Sequence, residues 1–262
     1  MRYSIFSRRG DSEEFYNLAG YGRREEVEIY LRRHSDKIAH LLKTPSKKLG
    51  LYPLDKAMRN ITTHDYSVAG LLLEYGADPH ARSPGPYYAK GSTQVHEAIQ
   101  GRNLGKLRFL VFSKPDYKGV LGAKDETAYK ALCDWASSSD AVTVVHKFKR
   151  WTVIDITEQT AEASIEIERL SVAAKEAETG EQYLVAIRCY QQLQSIYRDQ
   201  VELEKVIPYP SVQVAKELYI DKKQHYMISY YESKRRHYHR CEVAMRHKAD
   251  EEQDKCSNPL LI

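Results

Sequence analysis

The residue types best suited to bind a metal ion lie close together near the carboxyl end of the chain. His237, His239 and Cys241 alternate with Tyr238 and Arg240, and imidazole and thiolate groups are the usual ligands of zinc. The surrounding sequence predicts a helix, on which residues two positions apart point about 200° away from each other. Only His237 and Cys241, four positions apart, can share a face, and two ligands make a poor site. The sequence therefore predicts a solvated helix surface, with no metal site and no cofactor.

A second set of residues offers a nucleophile and a base. Cys133, Asp134 and His146 could in principle form a thiol-based catalytic arrangement, but no local pattern marks any of them for that role. The sequence also lacks glycine-rich phosphate loops, the Gly-x-Ser-x-Gly turn and the His-Glu-x-x-His helix. No catalytic residue is predicted. The favoured function is binding, and the leading alternative is an enzyme whose active site lies in the carboxyl-terminal helices.

Tyrosines and cations alternate between Tyr226 and Arg240, where Lys234, Arg235 and Arg236 stand among them. Aromatic rings stack on bases and cations neutralise phosphates, so the pattern is compatible with nucleic-acid binding. It is equally compatible with a contact to protein or to anionic lipid. Four acidic residues lie in the same predicted helix and the net charge of the chain is only +4, which argues against a nucleic-acid partner. The candidate partner-contact residues of this segment are Tyr230, Arg235 and Tyr238.

The composition limits the number and kind of domains that can position these residues. The chain has 262 residues, of which 42% are hydrophobic and 29% charged, enough for a packed core and, at about 150 residues per domain, for one or two domains. Its apolar runs are too short for a signal peptide or a membrane span. Four scattered cysteines indicate reduced thiols in a cytosol. Twenty residues are Tyr, against five Phe and two Trp, and tyrosine suits partly solvated surfaces.

A repeated unit organises the first part of the chain. One unit starts with Tyr52-Pro-Leu-Asp-Lys-Ala57 and ends with Val68-Ala-Gly-Leu-Leu-Leu-Glu-Tyr-Gly-Ala-Asp78. The apolar residues at 68–73 recur at helical spacing, Pro53 suits a first helical turn, and Gly76 can close the helix with a positive φ. The unit resembles an ankyrin repeat, which implies two antiparallel helices closed by a projecting turn.

A second unit begins with Thr93-Gln-Val-His-Glu-Ala98 and continues to Asp116. Two weaker units flank these: Ala19-Gly-Tyr-Gly22 followed by Val27 and Leu31, and Lys124-Asp-Glu-Thr-Ala128 together with Val144 and Val145 as a degenerate last repeat. The resemblance is strongest over residues 49–116. A single unit cannot bury its own apolar face, so about three or four must stack on each other. The resemblance therefore implies an ankyrin solenoid over residues 1–150 that binds a protein partner.

An inserted segment separates the two clearest units. Residues 81–91 carry two prolines and two glycines, which hold the backbone out of regular structure. Since turns that project from ankyrin repeats commonly contact partners, this segment is the predicted binding surface. The alternative is that its two tyrosines fold back over the neighbouring repeat. The candidate residues in this segment and at the end of the following unit are Arg82, Tyr87, Tyr88, Lys90, Asp116 and Tyr117.

Long helical stretches follow Trp151. Gly180 separates a first helix from a second, and Pro208 ends the second because proline lacks the backbone donor. A third helix is predicted from Ser211 to about Arg246. The apolar positions after Gly180 resemble the second helix of a tetratricopeptide unit, and an unrelated three-helix bundle explains them equally well.

These helices carry opposite charges. Residues 155–181 contain eight acidic and two basic residues, whereas residues 216–248 contain nine basic and four acidic ones. We therefore expect the acidic first helix to pack against the basic third helix, with charges meeting along the rims.

The end of the chain, residues 250–262, is acidic at first, then polar, and apolar at its close. This composition predicts a flexible tail. The tail resembles the secretion signal of effectors that intracellular bacterial pathogens deliver through a type IV system, among which ankyrin proteins are a recognised class. The resemblance implies synthesis in a bacterial cytoplasm, delivery into the host-cell cytoplasm and a role in virulence.

Together these patterns predict an all-α chain, with an ankyrin-repeat domain at 1–150, a helical bundle at 151–249 and a tail at 250–262. The predicted function is non-catalytic protein–protein interaction by a secreted effector that binds a host protein through its ankyrin repeats. The alternatives are the enzyme described above and nucleic-acid or anionic-lipid binding through the basic, tyrosine-rich last helix.

Overall fold

The computed structural model describes residues 12–59, 66–82, 84, 91–123, 125–139, 143–146, 149–206 and 225–257. This part of the chain is mostly helical, which confirms the predicted all-α class apart from one antiparallel hairpin. In chain order the elements are α1 (Ser12–Tyr21), α2 (Arg24–Arg33), a 3-10 turn (Ser35–Lys37), α3 (Ile38–Lys43), α4 (Pro53–Arg59), α5 (Ser67–Glu74), α6 (Gln94–Gln100), α7 (Leu104–Ser113), α8 (Ala128–Ala136), β1 (Thr143–His146), β2 (Lys149–Thr152), α9 (Val153–Thr179), α10 (Tyr183–Val206) and α11 (His225–Ser257).

The short helices α1 to α8 form a stack of pairs. Helix α4 packs on α5 and α6 packs on α7, while α1 meets α4, α2 meets α5, and α6 meets α8. Threonine caps set where two of these helices begin, because the side chains of Thr93 and Thr127 accept the backbone N–H groups of His96 and Lys130. We refer to α1–α8 as the stack and to α9–α11 as the bundle.

A β-hairpin follows the stack. Sequence analysis assigns Val144 and Val145 to a degenerate last repeat, but these residues lie in β1, where Val144 pairs with Trp151 and Val145 with Arg150 of β2. The prediction is wrong here because a run of β-branched residues, Thr143-Val-Val, favours extended backbone. The following helix, α9, begins at a capping box in which the Thr152 and Asp155 side chains each accept the other's backbone N–H.

The bundle is organised around α10, which packs along α9 on one side and along α11 on the other. The expected pairing of acidic α9 with basic α11 is therefore wrong as the main contact, although Ser171 and Tyr238 do meet across these two helices, with 3.2 Å between their hydroxyl oxygens. Apolar burial decides the packing, since an exposed ion pair contributes only about 0.2–1 kcal/mol. The buried side chains of α10 include Leu193, Tyr197 and Val201.

Helix α11 extends further than predicted. It continues past Arg246 to Ser257, so residues 250–257 are helical instead of forming part of a flexible tail. The segment contains Glu, Gln and Lys, which are good helix formers, and no Gly or Pro. Residues 250–253 are exposed on this helix, so the charge density that suggested flexibility belongs there to a solvated helix surface. The predicted start of this helix at Ser211 and the last residues of the tail, 258–262, lie outside the described residues.

One hydrophobic core runs through most of the described structure. Its buried residues extend from Phe15 in α1 to Tyr231 in α11, and a second cluster at the far end of the bundle includes Leu170, Leu193 and Met245. The predicted domain boundary at residue 150 falls in β2, and buried side chains continue across it.

A buried guanidinium joins the stack to the bundle. Arg108 of α7 is 1% exposed, and its partner Glu204 of α10 is 2% exposed. Their side chains form an ion pair through Nη1 and Oε2. Arg108 also donates from Nε to Thr160 Oγ1 at 3.1 Å and from Nη2 to Gln200 Oε1 at 3.0 Å. Every partner comes from the bundle, so the Arg108 network fixes α7 against α9 and α10 at once.

We predict that Arg108→Met lowers the free energy of unfolding by about 3–5 kcal/mol, because it removes one charge of a buried ion pair and keeps the other in the core. Urea unfolding followed by far-UV circular dichroism measures the change. The double variant Arg108→Met/Glu204→Leu should recover much of the loss, since both charges of the pair are then removed.

The control is Arg169→Met, which breaks the exposed ion pair with Glu166 and should cost under about 1 kcal/mol. An Arg108→Met variant that is no less stable than this control would contradict the role of the Arg108 network.

Candidate functional site

Buried polar contacts hold successive helix pairs of the stack at fixed spacing. The imidazole of His96 has Nδ1 2.9 Å from Thr93 Oγ1 and Nε2 3.1 Å from the carbonyl oxygen of Glu126, which precedes α8. Burial lowers the pKa of His96, so the neutral ring can accept from the threonine hydroxyl and donate to the carbonyl. His96 thus connects its own helix pair to the next one.

Asp55 has the equivalent place one helix pair earlier, three residues after Tyr52. Its carboxylate accepts the backbone N–H of Tyr52 at 2.8 Å and the side-chain amide of Gln94, in the next pair, at 2.6 Å. Burial raises the pKa of Asp55 to about 6, although both hydrogen bonds lower it. Buried side chains therefore link neighbouring helix pairs at two places along the stack, through a carboxylate at Asp55 and through an imidazole at His96.

Arg82, a predicted partner-contact residue, holds the base of the inserted segment. Its guanidinium donates from Nε to the carbonyl oxygen of Gly91 at 3.3 Å and from Nη2 to that of Gly122 at 3.0 Å. Asp125 lies 3.5 Å from the same Nη2. These contacts tie the two ends of residues 82–91 to the turn before α8, so Arg82 positions the segment and still exposes about half of its side chain.

Two neighbouring residues after α7, Asp116 and Tyr117, were predicted to contact a partner, and they differ in solvent exposure. Asp116 is solvent-exposed, with Oδ1 3.7 Å from Nδ1 of His80, and so lies where a partner can reach it. Tyr117 is fully buried, and burial raises the pKa of its hydroxyl. Tyr117 therefore belongs to the core, and its prediction as a partner-contact residue is wrong. The sequence does not reveal this because tyrosine is common both in partly buried positions and at surfaces. Tyr87, Tyr88 and Lys90 lie outside the described residues.

Tyr230 lines a cleft between the stack and the bundle. The cleft has a volume of about 280 Å³, and Phe109, Phe112, Tyr197 and Met227 supply much of its apolar wall. The ring of Tyr230 meets that of Phe112 edge to face, with 6.4 Å between centroids. Tyr230 therefore contributes one face to packing and another to the cleft, and its role as a partner contact stays a prediction.

Tyr238 lies in a row of aromatic rings that joins α10 to α11. Its ring stacks on Tyr190 at a centroid distance of 5.9 Å and on Tyr197 at 5.8 Å. The hydroxyl of Tyr238 reaches Ser171 on α9. With its ring held between two others, Tyr238 serves mainly to pack the bundle, and its predicted role as a partner contact is not favoured by this geometry.

Arg235 lines an open groove between α10 and α11, which we call the basic groove. The basic groove has a volume of about 430 Å³, and every residue along it is polar or charged. The lining residues follow one face of each helix, because they recur at three, four and seven positions. They are Gln191, Gln194, Ser195 and Arg198 of α10, and Arg235, Arg236, His239 and Glu242 of α11.

Glu242 forms the floor of the basic groove and is 8% exposed. Its carboxylate accepts the amide groups of Gln191 at 3.0 Å and Gln194 at 2.7 Å, and Arg246 donates to it at 2.7 and 3.1 Å. Burial alone would raise the pKa of Glu242, but the hydrogen bonds from Arg246 and the two glutamines outweigh it and hold the pKa below its ordinary value. The floor is therefore a fixed, charge-compensated carboxylate.

The metal ligands considered from sequence do not converge in the described structure, and of the catalytic set only the Cys133 and Asp134 side chains are described. His237 Nε2 lies 3.7 Å from Cys241 Sγ, but no group of three His, Cys, Asp or Glu side chains comes together among the described residues. Cys133 is half-buried on α8 and its neighbour Asp134 is exposed, while the side chain of His146 lies outside the described residues.

Sequence analysis identified one wall of the basic groove and missed the other. The cluster around Arg235 stands out because three cations are consecutive, whereas Arg198 and the two glutamines are dispersed among other polar and apolar residues of α10. They recur at spacings of three, four and seven positions, which place them in a polar stripe on one face of a helix. This spacing is visible in the sequence. That this stripe faces Arg235 follows from the antiparallel packing of two helices, which no local pattern encodes.

Comparison with models of protein families, with curated proteins and with solved structures finds no match. Function must accordingly be argued from the residues and their geometry. In the described part of the chain, no helix combines the length and the apolar character that a membrane crossing requires.

The raised pKa of Asp55 predicts a pH-dependent contribution to stability. Because the folded-state pKa, about 6, lies above the ordinary value of 3.8, the folded state binds more protons between these values, and stability from this group falls as pH rises from about 4 to about 6. Asp55→Asn removes the titration. The unfolding free energy of the variant minus that of wild type should be larger at pH 7 than at pH 4 by about 1–3 kcal/mol. Urea unfolding at both pH values measures this difference.

The readout is the pH dependence of this difference, because asparagine keeps only one of the two acceptor oxygens and can shift stability at every pH. Asp134→Asn, at an exposed position of α8, is the control and should show no such dependence. A gap between Asp55→Asn and wild type that stays constant from pH 4 to pH 7 would refute the prediction.

Proposed function

We propose that the chain is a non-catalytic protein-interaction module whose stack is a short ankyrin-type solenoid. The observation that carries this proposal is the bridge from His96 to Thr93 and to the carbonyl oxygen of Glu126. It supports the assignment because it places the histidine of the Thr-x-x-His segment between two helix pairs, where it fixes their spacing. The Asp55–Gln94 contact supports the same arrangement one pair earlier.

Such a stack suits protein binding because it presents turns from a rigid frame, so that binding requires little ordering of the protein. The turns that follow α5 and α7 carry exposed charges that pair across neighbouring units, with Lys114 Nζ 3.0 Å from Asp78 Oδ1. Arg82 donates to the carbonyl oxygen of Gly91, so the two ends of the inserted segment are held together beside these turns. In this proposal, the turns and the inserted segment form the contact surface for a protein of the host cell.

Delivery to that host protein is the second part of the proposal. The acidic and then apolar end of the chain acts as a signal for a type IV secretion system. Residues 250–253 are exposed on the last turns of α11, whereas Met245 is the last residue of that helix in the buried clusters. A secretion machine can therefore bind residues 250–253 without opening the core.

We predict that the full-length double variant Tyr87→Ala/Tyr88→Ala loses its host partner. Tyrosines are frequent hot spots of interfaces, and truncating two of them should weaken a direct contact by about 10–100-fold. The measurement is affinity capture from host-cell lysate with quantitative mass spectrometry, using wild type, the double variant and Tyr21→Ala as baits. Tyr21 is 75% exposed on α1 and serves as the matched control. Capture of the same proteins in equal amounts by all three folded baits would contradict the proposed surface.

We also predict that deleting residues 250–262 abolishes translocation of a reporter fusion while leaving its thermal unfolding nearly unchanged. The control replaces three exposed glutamates of α9, Glu162, Glu168 and Glu176, by glutamine, which removes acidic charge elsewhere. Translocation of the truncated fusion at the wild-type level would refute the secretion signal.

A further inference from the structure

The basic groove contains cations that have no carboxylate partner among the described residues. The described ion pairs include none for Arg198, which instead donates to the Ser195 hydroxyl at 3.2 Å, and none for Arg235. Arg236 has only a stretched and exposed pair with Glu232, at 3.8 Å. Because an arginine stays charged at every physiological pH, the groove keeps three guanidinium groups available to a ligand.

The carboxylate at the floor does not cancel this charge. Glu242 is already compensated by two hydrogen bonds from Arg246, so Arg198, Arg235 and Arg236 stand as a net excess of positive charge. Glu242 also fixes the neighbouring wall, because it accepts the amide groups of Gln191 and Gln194. Their side-chain oxygens are then left to accept hydrogen bonds from a ligand.

The spacing of these groups favours an extended ligand with several separated charges. Gln191 and Arg198 are seven positions apart, as are Arg235 and Glu242, so each wall is about 10 Å long at a helical rise of about 1.5 Å per residue. An extended peptide rises about 3.3 Å per residue, so three or four residues span the groove. A single phosphate would need donors that converge on one point, which walls of this length do not provide.

The lining also distinguishes between classes of macromolecule. Binding of single-stranded nucleic acid requires aromatic rings on which bases stack, and insertion into a lipid surface requires apolar side chains. The lining of the basic groove has no apolar side chain and, apart from the single imidazole of His239, no aromatic ring, since Tyr190 and Tyr238 stack on each other within the helix interface. Amide and hydroxyl groups on one wall and guanidinium groups on the other match a peptide backbone with acidic side chains.

We propose that the basic groove binds a short acidic segment of a protein partner in extended conformation. Arg198, Arg235 and Arg236 bind its carboxylates. The side chains of Gln191, Gln194 and Ser195 bind its backbone. This inference rests on the proposed function as a protein-interaction module and adds a second contact surface, on the bundle, with a defined ligand chemistry.

The test uses the full-length protein and a fluorescein-labelled peptide with four alternating Glu and Asp residues between Gly-Ser flanks. Fluorescence anisotropy at about 50 mM salt should give saturable binding. Arg235→Gln should weaken it by about 5–10-fold, and Arg198→Gln/Arg235→Gln by more than either single change, since each lost guanidinium–carboxylate contact contributes about 1–1.5 kcal/mol. A peptide with Gln and Asn in place of the acids should not bind.

The matched control is Arg240→Gln, which removes the same charge from an exposed position of α11 that does not line the groove. It should change affinity by less than about twofold. Circular dichroism and urea unfolding verify that each variant is folded. If Arg235→Gln does not fold, Arg198→Gln, which lies at an exposed position of α10, is sufficient for the test.

Equal weakening by Arg240→Gln and Arg235→Gln would overturn the proposal, because the peptide would then sense overall charge and not the groove. Displacement of the peptide by millimolar inorganic phosphate, or tighter binding of a single-stranded oligonucleotide than of the peptide, would overturn it in favour of those ligands. The outcome is separable from the proposed function, since host-partner capture that depends on Tyr87 and Tyr88 can persist when the acidic peptide does not bind.

Discussion

The structure depends on burying one guanidinium group. Removing a charged side chain from water costs several kcal/mol, even after the protein relaxes around it. Arg108 offsets this cost through the Glu204 carboxylate and the side chains of Gln200 and Thr160, all of which are themselves buried. Since Arg108 lies on α7 and its partners lie on α9 and α10, the compensation exists only when stack and bundle are docked. Each unit alone would leave part of the Arg108 network unpaired.

Docking of the stack on the bundle through Arg108 fixes the position of the projecting turns relative to the basic groove. The turns that carry Arg82 and Asp116 are fixed to the stack by contacts across successive helix pairs, and α7 belongs to that stack. The basic groove is fixed to α10, which the Arg108 network holds against α7. A partner that touches both surfaces would thus meet two sites at a set separation, and linking two contacts in this way raises affinity without any new interaction.

Much of the fold could be predicted from the sequence because the deciding signals are local. Gly180 separates two long helices, Thr93 caps α6, and apolar residues at helical spacing define buried faces. Features that depend on distant residues could not be predicted. A lone arginine on α7 gives no sign that its partner is 96 positions away, and Tyr117 cannot be distinguished from a surface tyrosine without its neighbours. Of the candidate site, the cationic wall was visible in sequence and the facing wall was not.

Stack and bundle are expected to form one cooperative body around the Arg108 network. Native-state hydrogen exchange across a urea series tests this cooperativity most directly, because it reports an opening free energy for each helix. We predict that the slowest amides of α6, α7 and α10 share one opening free energy, within about 1 kcal/mol, and one urea dependence. Separate opening free energies for the stack and the bundle, differing by more than about 2 kcal/mol with different urea dependence, would contradict it.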